Sequence, residues 1–203
     1  MYFMENLLII FVKNPKIGKV KSRLAKSIGD KMALSVYKKL VKRTKEITID
    51  LPIDKRVYYS ETIEDDDLWE NSIYQKRLQK GGDLGERMYN AFKEASSDSY
   101  HNICLIGSDI MELTSEIVLQ AFSLLADQHI VLGPSLDGGY YLIAMKLPVK
   151  ELFLNKKWGT KEVFAEAIHG IEKMKLDYAL LPTLNDIDEV GDIRDIDKDY
   201  LLS

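Results

Sequence analysis

Five cations, Lys13, Lys16, Lys19, Lys21 and Arg23, fall within eleven residues around Gly18, directly after six apolar residues, Leu7 to Val12. An uninterrupted apolar run reads as a strand buried on both faces of a parallel sheet. The carboxyl end of such a strand is where open α/β sheets bind ligands. A cationic glycine loop there suits a polyphosphate: Gly18 lets the backbone come close, and lysine and arginine neutralise oxygens. The competing reading is a solvated basic loop.

Carboxylates stand at comparable places. Ile103 to Gly107 is a second buried strand that runs into Ser108 and Asp109. If the two strands are parallel, Asp109 shares an edge with the cationic loop, where a divalent ion could bridge it to a diphosphate. Mg²⁺ takes one or two protein carboxylates and fills its octahedron with water and phosphate. Otherwise Asp109 caps the helix that follows. Asp186 and Asp188 alternate around Ile187 and would share one face if extended, as a second metal anchor or as an Asx-turn. Asp137, Gly138 and Gly139 precede the pair Tyr140 and Tyr141. Adjacent glycines suggest a close approach of backbone to ligand, with Asp137 receiving hydrogen bonds from an acceptor or holding the loop shut; a plain hairpin turn explains them equally well. Gly82 and Asp83 open a helical pattern whose backbone N–H groups could hold an anion, with helix capping as the alternative for Asp83. Asp65 to Asp67 reads as a solvated turn or helix start.

The elements that must position these groups alternate along the chain. Ala33, Val36, Tyr37, Leu40, Val41 and Ile47 follow helical spacing, with Asp30 as a possible cap and Pro52 as the stop. Strands are expected at 55–60, 72–78, 102–107, 129–132, 140–145 and 176–181, and further helices near 84–95, 115–126 and 160–168. The connection from Leu132 to Tyr140 is too short for a crossover helix, so those strands are antiparallel neighbours or one leaves the sheet. The pattern is that of one α/β domain over 1–203, a mostly parallel sheet flanked by helices.

Composition narrows the function. The 203 residues carry a net charge of −4, so no general basic field exists to attract nucleic acid. The lone Cys104 excludes an internal disulfide and sits in an apolar run, as a small buried hydrophobe does. His101, His129 and His169 form no ligand spacing, which makes zinc a poor fit. No apolar stretch reaches membrane-spanning length and the first residues do not read as a signal peptide, so a cytoplasmic location is expected.

In order, the chain contains FVKNPKIGKVKSRL, GGDLGERM, GSDIMELT, GPSLDGGYYL, WGT and DID. Together these blocks resemble a bacterial glycosyltransferase-like family with the nucleotide-diphospho-sugar transferase fold, called GT-A. They are also similar to nucleotidyltransferases that guanylylate phospholactate or make molybdenum guanine dinucleotide. The resemblance implies a Rossmann-like three-layer α/β/α sandwich with a mostly parallel mixed sheet. It implies a nucleotide site on Lys13, Gly18, Lys21 and Arg23, joined by Gly82, Asp83 and Ser108. It further implies Mg²⁺ or Mn²⁺ on Asp109, with Asp188 as second ligand, and catalytic roles for Asp109, Lys21 and Asp137. Gly138, Gly139 and Tyr140 are expected at the substrate. Three positions depart from the family pattern: Ile17 and Met111 stand where prolines are usual, and Gly159 where a serine is.

The expected function is a metal-dependent transferase using a nucleotide or nucleotide sugar and an acceptor, with sugar transfer foremost. Nucleotidyl transfer with release of pyrophosphate, and nucleotide binding without turnover, are the alternatives.

Overall fold

A computed structural model describes residues 6–203. The expectation that the first residues are not a signal peptide rests partly on residues before these and lies outside the described residues. Seven strands form one sheet: β1 (Asn6–Val12), β2 (Asp54–Tyr59), β3 (Tyr74–Leu78), β4 (Asn102–Ile106), β5 (Ile130–Pro134), β6 (Tyr140–Met145) and β7 (Tyr178–Leu180). Their order is β3-β2-β1-β4-β6-β5-β7. All pairings are parallel except those of β6, which runs antiparallel to both β4 and β5. The short 132–140 connection therefore makes a hairpin inside the sheet, one of the two arrangements its length allows.

Six helices cover the faces: α1 (Ser22–Ile28), α2 (Asp30–Thr48), α3 (Leu84–Ser97), α4 (Ser115–Leu124), α5 (Val163–Lys173) and α6 (Asp195–Leu201). Alternation along β1 divides the core. Leu8, Ile10 and Val12 pack with Tyr37 and Val41 of α2 and Val118 and Ala121 of α4. Leu7, Ile9 and Phe11 point to the other side, onto Met88 and Phe92 of α3 and Ile171 of α5. A third cluster joins Leu24, Ala33, Val36 and Leu40 to Ile187, Ile193 and Leu201, which fastens the C-terminal segment beside α1 and α2.

Three expectations need correction. The basic loop does not stay irregular: it turns into α1 one residue after Lys21, because Leu24 finds a buried seat against α2 and Ile187. Asp30 does not cap α2 but lies in its first turn, after Gly29 at φ +80. Asp65 to Asp67 is more than a solvated turn, since Asp67 accepts from the Tyr59 hydroxyl at 2.6 Å and pairs with Lys76 at 2.9 Å.

Candidate active site

A cleft of about 620 Å³ opens where β1 and β4 end. That volume suits a nucleotide-sized ligand. Its floor is built from three separated segments. Lys21, at φ 49 and ψ 48, turns the chain from the basic loop into α1. Its ammonium lies 2.9 Å from Oδ2 of Asp109 and 3.1 Å from Oδ1 of Asp188. Arg23 reaches the other oxygen of Asp188 at 3.2 Å.

Asp109 is not a helix cap. The following helix starts at Ser115, and Thr114 caps it by accepting from the Ile117 amide. The carbonyl of Asp109 instead accepts from the Ile187 amide at 3.2 Å. Ile187 is buried, so its neighbours Asp186 and Asp188 both turn into the cleft. Asp188 alone of the pair meets Lys21.

The charges are mutually dependent. Burial works against an ionised Asp109, but the Lys21 ammonium beside it prevails and holds the carboxyl below its ordinary range. Burial likewise works against Lys21, and Asp109 and Asp188 together outweigh it and raise its pKa. Asp186 lacks an ion pair among the described residues. Burial first, then Asp137, Asp109 and Asp188, push it up to about 6.

Lys13, Lys21, Arg23, Ser108, Asp109, Asp137, Gly139, Tyr140 and Asp188 all line this cleft. Gly18, Gly82, Asp83 and Gly138, also expected at the ligand, are not among the residues that line this cleft. Gly18 serves the turn, at φ +70. Asp83 accepts from the Glu86 amide and Gly82 donates to the Glu86 carboxylate, both at 2.8 Å, so these groups cap α3. Gly138, at φ +91, packs so closely on Lys161 that a Cβ would come within 2.3 Å of its carbonyl oxygen. Asp137 accepts from Ser135 and from the Gly139 amide with one oxygen, and so braces the hairpin.

Several neighbours were assigned no role from the sequence. Tyr37 sits in the apolar stripe of α2, yet its hydroxyl accepts from the Lys13 amide at 2.7 Å and donates to the Lys13 carbonyl at 3.0 Å. Asn14 is buried amid the cations and ties the loop to the exit of β2 by accepting from the amides of Glu61 and Thr62. Its type among lysines was the available hint. Gln79, Arg87 and Trp158 complete the cleft walls.

Asp109 and Asp188 fit a divalent ion, because oxygens from two segments already converge on a single cation. No group of three or more His, Cys, Asp or Glu among the described residues could hold a metal. Two carboxylates with phosphate oxygens as the remaining ligands is the donor set Mg²⁺ takes.

Fold and site together define a protein of the nucleotide-diphospho-sugar transferase fold. A protein of Desulfovibrio desulfuricans G20, provisionally described as a nucleotide-diphospho-sugar transferase, matches with a TM-score of 0.85 at 31% identity, over 98% of this chain and 87% of that one. The inositol-1-phosphate CTP transferase of T. maritima shares the fold at TM-score 0.62 and 16% identity, over 96% of this chain and 94% of that one. So does glucosyl-3-phosphoglycerate synthase of Mycobacterium tuberculosis, in complex with Mg²⁺ and UDP, at TM-score 0.50 and 13% identity, over 89% and 69%. No curated protein matches the chain. Residues 41–160 match the family described as "Uncharacterized protein conserved in bacteria (DUF2064)", and the chain belongs to that family.

Proposed function

We propose that this protein is a metal-dependent transferase that takes a nucleotide-activated donor, foremost a nucleoside diphosphate sugar, and passes the sugar to an acceptor. The observation that carries this reading is the buried Lys21 ammonium shared by Asp109 and Asp188, beside the basic loop at the mouth of the cleft. Lys13, Lys21 and Arg23 bind the diphosphate oxygens. Asp109 and Asp188 are the residues to hold Mg²⁺ or Mn²⁺, which when bound stabilises charge on the departing diphosphate. Tyr37 and Asn14 keep the loop in register with the sheet edge. Asp137 keeps the hairpin closed, which leaves Asp186 as the carboxylate free to take the proton of an acceptor hydroxyl. Among proteins of this fold, the synthase named above is complexed with UDP and Mg²⁺.

One observation favours a second reading. Lys13, Lys21 and Arg23 all lie on the basic loop and its helix start, a placement that would also hold a leaving pyrophosphate. Nucleotidyl transfer from a nucleoside triphosphate then replaces sugar transfer.

The test is a thermal-shift screen of nucleotides and nucleotide sugars with and without Mg²⁺ or Mn²⁺, since a ligand bound to the native state raises its melting temperature. Product analysis follows with the ligand that binds. Release of a nucleoside diphosphate supports sugar transfer, and pyrophosphate supports the second reading. Metal-dependent binding with no product from any donor would leave a nucleotide sensor instead of an enzyme.

A further inference from the structure

The segment after β4 and the segment after β7 each bring carboxylates to the cleft, and one side chain ties the two segments together. Glu112 stands three residues after Asp109. Its Oε2 accepts from the Asn185 amide at 2.9 Å, and its Oε1 accepts from the Arg194 guanidinium. Asn185 and Arg194 are the two ends of the loop that carries Asp186 and Asp188, so a single carboxylate closes that loop at its base. A further anchor is the Ile187 amide on the carbonyl of Asp109, at 3.2 Å. All three anchors fall on residues 109 and 112, and Glu112 supplies two of them.

The loop is also held together from within and from behind. Asp192 accepts from the amides of Asp188 and Glu189 with one oxygen, at 2.9 and 2.6 Å, and its carbonyl accepts from the Asn185 side chain at 2.9 Å. Arg194 donates to Asp197 in the first turn of α6 at 2.7 Å. Met111, beside Glu112, packs on the cluster that holds Ile187 and Ile193. With these bonds made, what remains adjustable is how the loop seats on the 109–112 turn. Glu112 bonds nothing else among the described residues and caps no helix, since Thr114 caps α4. Its side chain is 26% exposed, so bonds to this ionised acceptor are only partly screened.

We propose that Glu112 is a positioning residue: by clamping both ends of the 185–194 loop beside Asp109, it sets where Asp186 and Asp188 stand in the cleft and keeps Asp188 opposite Asp109. Its task toward a divalent ion rests on the transferase reading; the clamp does not. Asp109 and Asp188 meet the same Lys21 ammonium at 2.9 and 3.1 Å, so a small displacement of the loop undoes their convergence. The bond from Ile187 to Asp109 alone would let the loop pivot about a single contact. Glu112 adds a contact on either side of it and stops the pivot. The two carboxylates of the block GSDIMELT then have separate tasks: Asp109 faces the cleft, and Glu112 holds the segment that brings the second carboxylate.

The test reads the clamp first without a ligand and then with Mn²⁺ alone. In Glu112→Ala, hydrogen exchange at the Asn185 and Ile187 amides should quicken about tenfold or more, as loss of a bond to a charged acceptor does, while the amides of β1 and β4 keep their protection. The ¹³C carboxyl signals of Asp186 and Asp188 should move, and that of Asp109 should move less. A residue with only a general stabilising task would lower the melting temperature without singling out these signals. Glu112→Gln keeps one acceptor oxygen and should give a smaller change of the same kind; it carries the test if Glu112→Ala does not fold. Asp195→Asn removes a carboxylate of the same segment that meets Lys198 instead, and should move none of these signals. Mn²⁺ should broaden the Asp109 and Asp188 signals together in wild type, and Asp109 more than Asp188 in Glu112→Ala. The proposal is overturned if the Asp186 and Asp188 signals are the same in wild type and the Glu112 variants, if Asp195→Asn moves them as far, or if Mn²⁺ broadens both carboxylates equally in Glu112→Ala. Failure of the transferase reading looks different: Mn²⁺ and nucleotide would leave the wild-type spectrum untouched while Glu112→Ala still displaces Asp186 and Asp188.

Discussion

The ammonium of Lys21 lies 2.9 Å from the carboxylate of Asp109, although 88 residues separate them in the chain. The pair couples the basic loop after β1 to the end of β4, and Asp188 closes the arrangement from the C-terminal segment. Both charges are stabilised by folding, with opposite pH limits. Asp109, held below its ordinary 3.8, contributes stability above that value and loses it as pH falls through its lower folded value. Lys21, held above 10.5, contributes below that value and loses it as pH rises beyond. The ion pair is therefore intact across the neutral range.

Lys21→Ala is expected to weaken nucleoside diphosphate binding by about 1.5–3 kcal/mol, the range for a charged hydrogen bond, and to leave nucleoside binding nearly unchanged. In the absence of nucleotide the same variant should bind Mg²⁺ more tightly, because it removes the cation that already occupies Asp109 and Asp188. Arg23→Ala should have a smaller effect that fades as salt is added, since its side chain is 54% exposed. Calorimetry with nucleoside, nucleotide and metal in turn reads all three. Equal losses for nucleoside and nucleotide would give the loop a structural task alone.

Asp109→Asn is expected to preserve the fold and remove most of the divalent-ion dependence of nucleotide binding. Its backbone carbonyl still receives the Ile187 amide, so the C-terminal segment should stay docked. Unchanged metal-dependent affinity in the variant would exclude Asp109 as a ligand of the ion.

Asp186 has the opposite linkage to Asp109. Its pKa is raised from 3.8 to about 6, so the protonated form is favoured by folding. Its contribution is fully present below 3.8 and is lost as pH rises through about 6. Asp186→Asn should remove that loss, so melting temperature should fall less from pH 4 to pH 7 in the variant than in wild type. Carboxyl NMR titration gives the value directly, and an Asp186 midpoint near 4 would contradict it.

The glycines differ in what a side chain would meet. Gly138→Ala and Gly133→Ala should cost stability whatever ligand is present, because a Cβ would meet the Lys161 carbonyl oxygen at 2.3 Å or the Tyr141 ring at 2.4 Å. Gly159→Ser, which restores the residue usual in the family pattern, meets no atom within 4 Å but stands at φ +79. Its cost should be only the left-handed backbone term, about 1–2 kcal/mol. Gly139→Ala falls between, with a contact of 3.1 Å to Asp137 that should loosen the hairpin brace. Chemical denaturation ranks the four, and a large loss for Gly159→Ser would show that its loop is packed more tightly than this.

The local signals in the chain determined the elements and the edge on which they end. Leu7 to Val12 has the apolar run of a central strand, and β1 lies between β2 and β4 with both its faces buried. The short span from Leu132 to Tyr140 dictated that a crossover helix was excluded, and the strands pair antiparallel. The basic loop and Asp109 were legible because both follow directly on buried strands, whose carboxyl ends share an edge when the strands are parallel. Contacts between distant segments were not legible. Whether Asp186 or Asp188 meets Lys21 depends on how Ile187 seats among α1 and α2, which is a matter of packing and not of spacing. Gly82 and Asp83 look like an anion site until the first turn of α3 is seen to satisfy itself through Glu86. Tyr37 reads as part of the apolar stripe of its helix. Only the folded chain shows that its hydroxyl bonds the backbone of the basic loop, because that partner comes from another element and its position is set by the packing of the whole sheet.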